Sequence, residues 1–311
     1  MTAGEAPAVP RAGILARALR CLIDLILGTL LCLTPVTAIL ALGWLMRRMR
    51  VSTLRRRGQS PPLPGWILGP RSAGWPTSLL GGLAANIREG AAAVISLSLA
   101  TLPFSFPWLL AWWAGWDNSF NKGYEQAFAG PALFFFGIAI FLAVMIHLPM
   151  ALAHQAATSR WLAVFELREV RRSVRHTGWG HVLFAFTTVF FALPLFASRG
   201  LPVFVEGIIP GFADFTPEHV QQVENAARLA VAAYVFASYW WLRTWSARLY
   251  AAAQKRAEAG QTPARTARAV CTLALIAIWF ALVVLIVVAQ FLNHSWWAWA
   301  LHPAFGLPWY G

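Results

Sequence analysis

The chain has 311 residues, 59% of them apolar and only 12% charged, with a formal net charge of +13. Soluble domains carry roughly 25% charged residues, and a chain this long with so little charge lacks the polar surface to cover a water-soluble fold, which excludes that class. The positive charge would suggest nucleic acid in a soluble protein, but here it sits in short connections beside apolar stretches, where membrane orientation and anionic lipid account for it and no nucleic-acid partner is expected.

A short tail, 1–20, holds Arg11, Arg17 and Arg20 and leads into an uncharged stretch at 25–46. The pair mimics a signal peptide, yet the apolar run is longer than the usual h-region of roughly 7–15 residues and meets arginines with no Ala-x-Ala site, so it reads as retained. Thr34–Pro35 at its middle is a helix-start pair, with Thr as N-cap and Pro at the first helical position. A single crossing kinked at this point is expected; the alternative is a broken, re-entrant element that keeps both arginine-flanked ends on one side. Arg47, Arg48, Arg50, Arg55, Arg56 and Arg57 follow as the densest charge run. Each basic group near an anionic surface contributes about 1 kcal/mol, so these six are the candidate lipid-headgroup contacts.

The stretch 90–116 ends in Trp112, Trp113 and Trp116, candidate anchors at the headgroup level, where an indole finds both an apolar and a wet side. The next, 130–153, carries His147, with His154 just beyond it. Seven residues separate two imidazoles on one helix face by about 10 Å, and a helix holding one metal places its ligands more naturally four apart. Ordinary interfacial or inter-helix hydrogen bonding is therefore expected of them. In 154–180, Ala163, Leu167, Val170 and Val174 share one helical face, while Glu169, Arg172, Arg175 and His176 lie mostly away from it. This is a basic amphipathic helix for the headgroup plane or a cap over the helix ends, with Trp161 as a further anchor.

Beyond the stretch 182–198, the connection 199–216 is rich in Gly and Pro, and acidic residues gather around it: Glu206, Asp214, Glu218 and Glu224, with His219. They match no GxSxG, HExxH, P-loop or paired-carboxylate pattern, so no enzyme, metal or cofactor is expected. Only 14 residues lie between Arg228 and Arg243, about 21 Å of helix. They read as the middle of one long helix from about Pro217 to Glu258, ended near Gly260, with Trp241 and Trp245 as anchors. The last stretch, 270–292, is followed by a tail at 293–311 with Trp296, Trp297 and Trp299.

Lys and Arg counts in successive connections alternate: eight in 47–89, one in 117–129, five in 154–180, one in 199–225, five in 247–268, none after 293. Basic residues favour the cytoplasmic side of short loops. The loops 47–89, 154–180 and 247–268 are therefore expected in the cytoplasm of a bacterial cell, and the C-terminus outside. The fold class expected is all-α: a polytopic helical membrane protein with about six hydrophobic segments and basic interfacial cytoplasmic helices, a single domain over 1–311. Cys21, Cys32 and Cys271 have no CxxC spacing and imply neither disulfide framework nor zinc site.

Gly28, Pro35, Gly43–Trp44, Arg47, Arg50, Gly58, the turn Leu63–Pro64–Gly65–Trp66 and Gly82–Leu83 together resemble domain-of-unknown-function family 4013, uncharacterised prokaryotic integral membrane proteins. The likeness covers roughly the first hundred residues. It departs from the family at Trp44, where Tyr is usual, and at Ile67–Leu68, which replace acidic residues. The resemblance implies a multi-helix membrane protein and supplies no catalytic residue.

The leading expectation is a non-enzymatic scaffold, assembly or lipid-organising factor. Its partners would be membrane lipids, especially anionic lipids of the inner leaflet, and a further membrane protein. The rival is a transporter or channel for a small neutral or anionic solute, since Pro35, Pro103, Pro107, Pro149 and Pro194 lie in or at the ends of apolar spans, where broken helices often line binding sites.

Overall fold

A computed structural model describes residues 13–59, 61–68, 77–112, 128–208, 211 and 215–292. Among them the chain is helical: α1 (Ile14–Leu31), α2 (Pro35–Arg56), α3 (Thr77–Trp112), α4 (Ala129–Thr158), a 3-10 turn η1 (Trp161–Phe165), α5 (Leu167–Thr177), α6 (Trp179–Ile208), α7 (Pro217–Glu258) and α8 (Arg265–Leu292). Four helices are long and apolar enough to cross a membrane: α3 over Leu80–Ala111, α4 over Ala129–Thr158, α6 over Trp179–Ala197 and α8 over Arg265–Val288. Of the other two expected segments, 25–46 is divided by the break between α1 and α2, and that in α7 has only 14 residues between Arg228 and Arg243.

That break falls at Thr34–Pro35. Pro35 starts α2 and Thr34 caps it, its hydroxyl accepting from the Thr37 N–H at 3.3 Å. The Thr37 hydroxyl in turn donates to the Leu31 carbonyl at 2.7 Å, satisfying an acceptor that the end of α1 leaves open. Arg20 and Asp24 on α1 and Trp44 and Arg47 on α2 all meet the loop at 64–66. The two helices therefore fold back on each other as a hairpin whose tip is 32–34. The kinked single crossing expected for 25–46 is corrected to this broken hairpin, because the capped Thr-Pro pair starts a new helix and redirects the chain.

α2 crosses α3 at backbone contact. A Cβ on Gly43 would stand 1.9 Å from the Asn86 carbonyl oxygen, and one on Gly90 would stand 2.0 Å from that of Ile39. α3 and α4 run antiparallel: Ser96 donates to Gln155 at 2.8 Å near one end, and the Trp108 indole donates to the Phe134 carbonyl at 3.2 Å near the other. Phe104, Trp108 and Phe141 pack as a ring cluster between them, with centroids 5.1–5.4 Å apart.

α7 has the bounds read from the sequence. Thr216 caps it through the His219 N–H, Pro217 opens it, and Gly260 follows its end with a left-handed φ of 68°. At 42 residues it is about 63 Å long. It runs antiparallel to α6, with the Tyr234 hydroxyl on the Phe191 carbonyl at 2.9 Å and Trp245 against Phe184.

The expected amphipathic helix of 154–180 is split at Glu166. Ala163 and Val170 are fully buried and Val174 half-buried, but Leu167 is exposed, because the 3-10 turn rotates it away from the buried face. Arg168, Arg171, Arg172 and Arg175 are exposed along α5. His154, buried at the end of α4, bonds the Tyr250 hydroxyl of α7 and the Glu166 carboxylate, each at 2.7 Å, and Arg160 pairs with the same carboxylate. His147 bonds only the Ala143 carbonyl one turn back. The two histidines thus serve hydrogen bonding, and no group of three or more metal-ligating side chains occurs among the described residues.

The basic connections meet at one end of the bundle. Arg57 after α2 pairs with Glu258 of α7 at 2.6 Å, and Arg256 donates to the His176 carbonyl of α5 at 2.9 Å.

Gly43→Ala and Gly90→Ala are each expected to destabilise the fold by about 1–3 kcal/mol or more, since the obstacle is backbone that cannot step aside. Melting in detergent checks this against Gly13→Ala, whose added Cβ meets nothing within 4 Å and leaves the melting temperature in place.

Candidate basic and aromatic cleft

The loop 61–68 is held on the hairpin by one guanidinium. Arg47 Nη1 donates to the carbonyls of Gly65 (3.2 Å) and Gly82 (3.1 Å) and to Asn86 Oδ1 (2.8 Å). The Asn86 amide completes the set, donating to the carbonyls of Trp66 at 2.9 Å and Gly65 at 3.4 Å. Trp66 then lies flat on Trp44, with centroids 4.5 Å apart and planes 4° apart, and its indole donates to Asp24 at 2.8 Å. Burial pushes the Asp24 carboxyl above the ordinary carboxylate range; the Trp66 hydrogen bond and the charges of Arg48 and Arg20 partly offset it. Gly82 and Gly28 are close-approach positions of the same assembly, facing the backbone of Ile67–Leu68 and the ring of Phe236.

Beside this assembly, between α2 and α7, opens a cleft of about 950 Å³. Arg48, Arg55 and Arg56 enter from α2, and Arg248 enters from α7. Trp240, Trp241 and Trp245 form the aromatic part of the α7 wall. Positions 241, 245 and 248 recur at helical spacing, which turns them to one side of α7. Arg48 lies against two rings that meet edge to face, its guanidinium carbon 5.5 Å from both the Trp44 and the Trp240 ring, a cation–π arrangement that strengthens when desolvated. Its Nη1 is buried without a hydrogen-bond partner. Among the described residues, no carboxylate lies within ion-pair distance of Arg48, Arg55, Arg56 or Arg248; Arg55 has a weak contact to the Pro61 carbonyl at 3.5 Å. Four cations beside three indoles can receive an anion whose attached group is apolar.

The six arginines read from the sequence therefore separate. Arg48, Arg55 and Arg56 line the cleft. Arg47 is bound by backbone carbonyls, Arg57 is paired with Glu258, and Arg50 lies exposed on a second groove with Arg20 and Pro61–Pro64. Of the tryptophan anchors, Trp241 and Trp245 line the cleft, Trp161 is exposed on η1 and Trp112 ends α3. Trp113, Trp116, Trp296, Trp297 and Trp299 lie outside the described residues, as does Asp214. Glu218 is exposed in the first turn of α7 and Glu224 two turns on.

Arg248 and Asn86 were not singled out by their sequence positions. For Arg248 the signal was the spacing to Trp241 and Trp245. For Asn86, a lone amide near the start of an apolar helix, nothing local marked it.

A family model described as a protein of unknown function, DUF4013, matches residues 26–205, more than half of the chain and well past the first hundred residues. The matched part holds α2 and the Arg47 assembly; the α7 wall of the cleft lies beyond it. No curated protein and no solved structure matches.

Arg47→Ala removes the one nitrogen, Nη1, that meets all three oxygens. It is expected to cost about 2 kcal/mol of stability. Asn86→Ala should do the same, and the double variant should lose less than the sum, because both act through Gly65. Unfolding in mild detergent, followed through tryptophan emission, checks all three.

Proposed function

The chain belongs to the DUF4013 family, whose function is unknown, and we propose that this member is a non-enzymatic lipid-organising scaffold that gathers anionic headgroups in the cleft between α2 and α7. The observation that carries the reading is a set of four arginines, none with a carboxylate in ion-pair distance among the described residues, lining one tryptophan-walled opening. A phosphate on these cations, with the glycerol and upper acyl carbons against Trp240 and Trp241, joins the two preferences of an anionic lipid.

In this reading the protein is a multi-pass membrane protein of about six hydrophobic segments in a bacterial cytoplasmic membrane. The α1–α2 hairpin enters without crossing, and α7 crosses between Arg228, which can extend to the interface, and Arg243, whose side chain turns to the hollow among the helices. The end where Arg57, Arg175, Arg256 and Arg268 gather faces the cytoplasm, as basic connections favour. Exposed Trp161, Leu162 and Trp179 on η1 and α6 settle that end into the inner headgroup layer, with α5 as a basic interfacial helix.

The alternative, a carrier or channel for a small neutral or anionic solute, has one feature in its favour. A cavity of about 110 Å³ among α4, α6, α7 and α8 is bordered by Pro149. Pro35, Pro103, Pro107 and Pro194 are not on its wall.

Two measurements test the proposal. Arg55→Gln, Arg56→Gln and Arg248→Gln combined should lower retention of phosphatidylglycerol on the purified protein about 100-fold, at roughly 1 kcal/mol for each charge. Native mass spectrometry of protein taken from mixed phosphatidylglycerol and phosphatidylcholine vesicles reads this, and unchanged retention would sink the cleft as a headgroup site. For orientation, Gly13→Cys and Gly58→Cys, each in a cysteine-free background, should both react with a membrane-impermeant maleimide only in inside-out vesicles. Labelling from opposite faces would contradict a re-entrant hairpin.

A further inference from the structure

On the face of α7 away from the cleft, Arg243 borders the 110 Å³ cavity, its guanidinium carbon 5.8 Å from the Tyr239 ring. The segments of α4, α6, α7 and α8 around the cavity contain neither Asp nor Glu: there is none in 129–158, 179–200, 229–254 or 265–292. The nearest acidic residue of α3, Glu89, pairs with Arg88 at 2.9 Å. The chain thus offers Arg243 no carboxylate of its own at this depth, where an unpaired charge is costly and normally marks a pathway or a ligand.

A second donor on the same wall has no acceptor. Trp279 of α8 is 1% exposed and its Nε1 is buried with no hydrogen-bond partner. The hydroxyls nearby do not fill that role: Ser246 donates to the Arg243 carbonyl at 3.0 Å and Thr188 to that of Phe184 at 2.9 Å. One unpartnered indole N–H and one guanidinium therefore border an otherwise apolar hollow. A cavity of about 150 Å³ lined by apolar side chains holds a benzene-sized group, so this one takes a short hydrocarbon stretch rather than a whole lipid.

We propose that this cavity is a binding site for a single-chain anionic amphiphile, its carboxylate or phosphate held by Arg243 and the adjoining methylenes lodged against Trp279, with the rest of the chain leaving between the helices into the bilayer. The site is separate from the cleft and does not rest on that reading. Charge selects the headgroup, and the cavity volume selects one chain over two.

The test uses the full chain in phosphatidylcholine nanodiscs and a palmitate analogue bearing a diazirine near its carboxylate. Photolabelling should map to α4, α6 or α8 beside the cavity. Palmitate and lysophosphatidate should both compete, and hexadecanol should not; which of the two competes better distinguishes the carboxylate from the phosphate source. Arg243→Gln should cut labelling about ten-fold or more, while the combined Arg55, Arg56 and Arg248 variant should label as the native protein does. Ala192→Trp, which fills the cavity with Arg243 in place, should also abolish labelling and keeps the test intact where Arg243→Gln does not fold. Equal competition by hexadecanol, competition by phosphatidylglycerol alone, undiminished labelling of Ala192→Trp, or no labelling above background would each overturn the proposal.

Discussion

The fold depends on a planar cation finding backbone oxygen where the chain cannot supply a regular partner. Arg47 reaches the carbonyls of Gly65 and Gly82 and the Asn86 side chain, and so fixes a non-helical loop against two helices at once. Carbonyls outside a helix are the groups least tolerated near hydrocarbon. Here one terminal nitrogen, Nη1, shares its two N–H groups among the three oxygens. The arrangement also explains why Gly43 and Gly90 lack side chains: only bare backbone lets α2 and α3 approach closely enough for Arg47 to span both.

From that anchor the functional surfaces follow. With the loop fixed, Trp66 covers Trp44 and presses Asp24 into the hairpin. Trp44 then offers its other contacts to Arg48 and Trp240. The cation whose Nη1 remains without an acceptor is thereby held against two rings on the wall of the cleft. Arg47 and Arg48 are neighbours in sequence with opposite duties, one immobilised by carbonyls and the other left able to meet a ligand. Successive positions on a helix face about 100° apart, which is enough to send one inward and the other sideways.

The long-range logic of the chain was legible in its charges. The long α7 was readable from Thr216–Pro217 at one end and Gly260 at the other, because caps are local chemistry. The spans α3, α4, α6 and α8 were readable from hydropathy. The hairpin was not settled by sequence: Thr34–Pro35 announces a helix start, but whether the chain bends slightly or reverses depends on what Thr37 and the loop at 64–66 hold in place. Leu167 was assigned to the buried face because periodicity assumes one helix, and the 3-10 turn before Glu166 breaks that assumption. Likewise the arginine run 47–57 looked uniform as a count of charges. Its division into carbonyl clamp, ring contact, cleft and ion pair came from partners supplied by segments far along the chain, and no local pattern encodes those.

The span of sequence that closes the Arg47 assembly has a bearing on biogenesis. The arginine emerges from the ribosome 18 residues ahead of Gly65, but 35 ahead of Gly82 and 39 ahead of Asn86, so the young hairpin has one of its three acceptors before α3 is made. Until α3 is made, the two remaining contacts of its guanidinium have no partner in the chain. Insertion of α3 is then the event that locks the first two helices into place, making the order of synthesis part of how this protein is assembled.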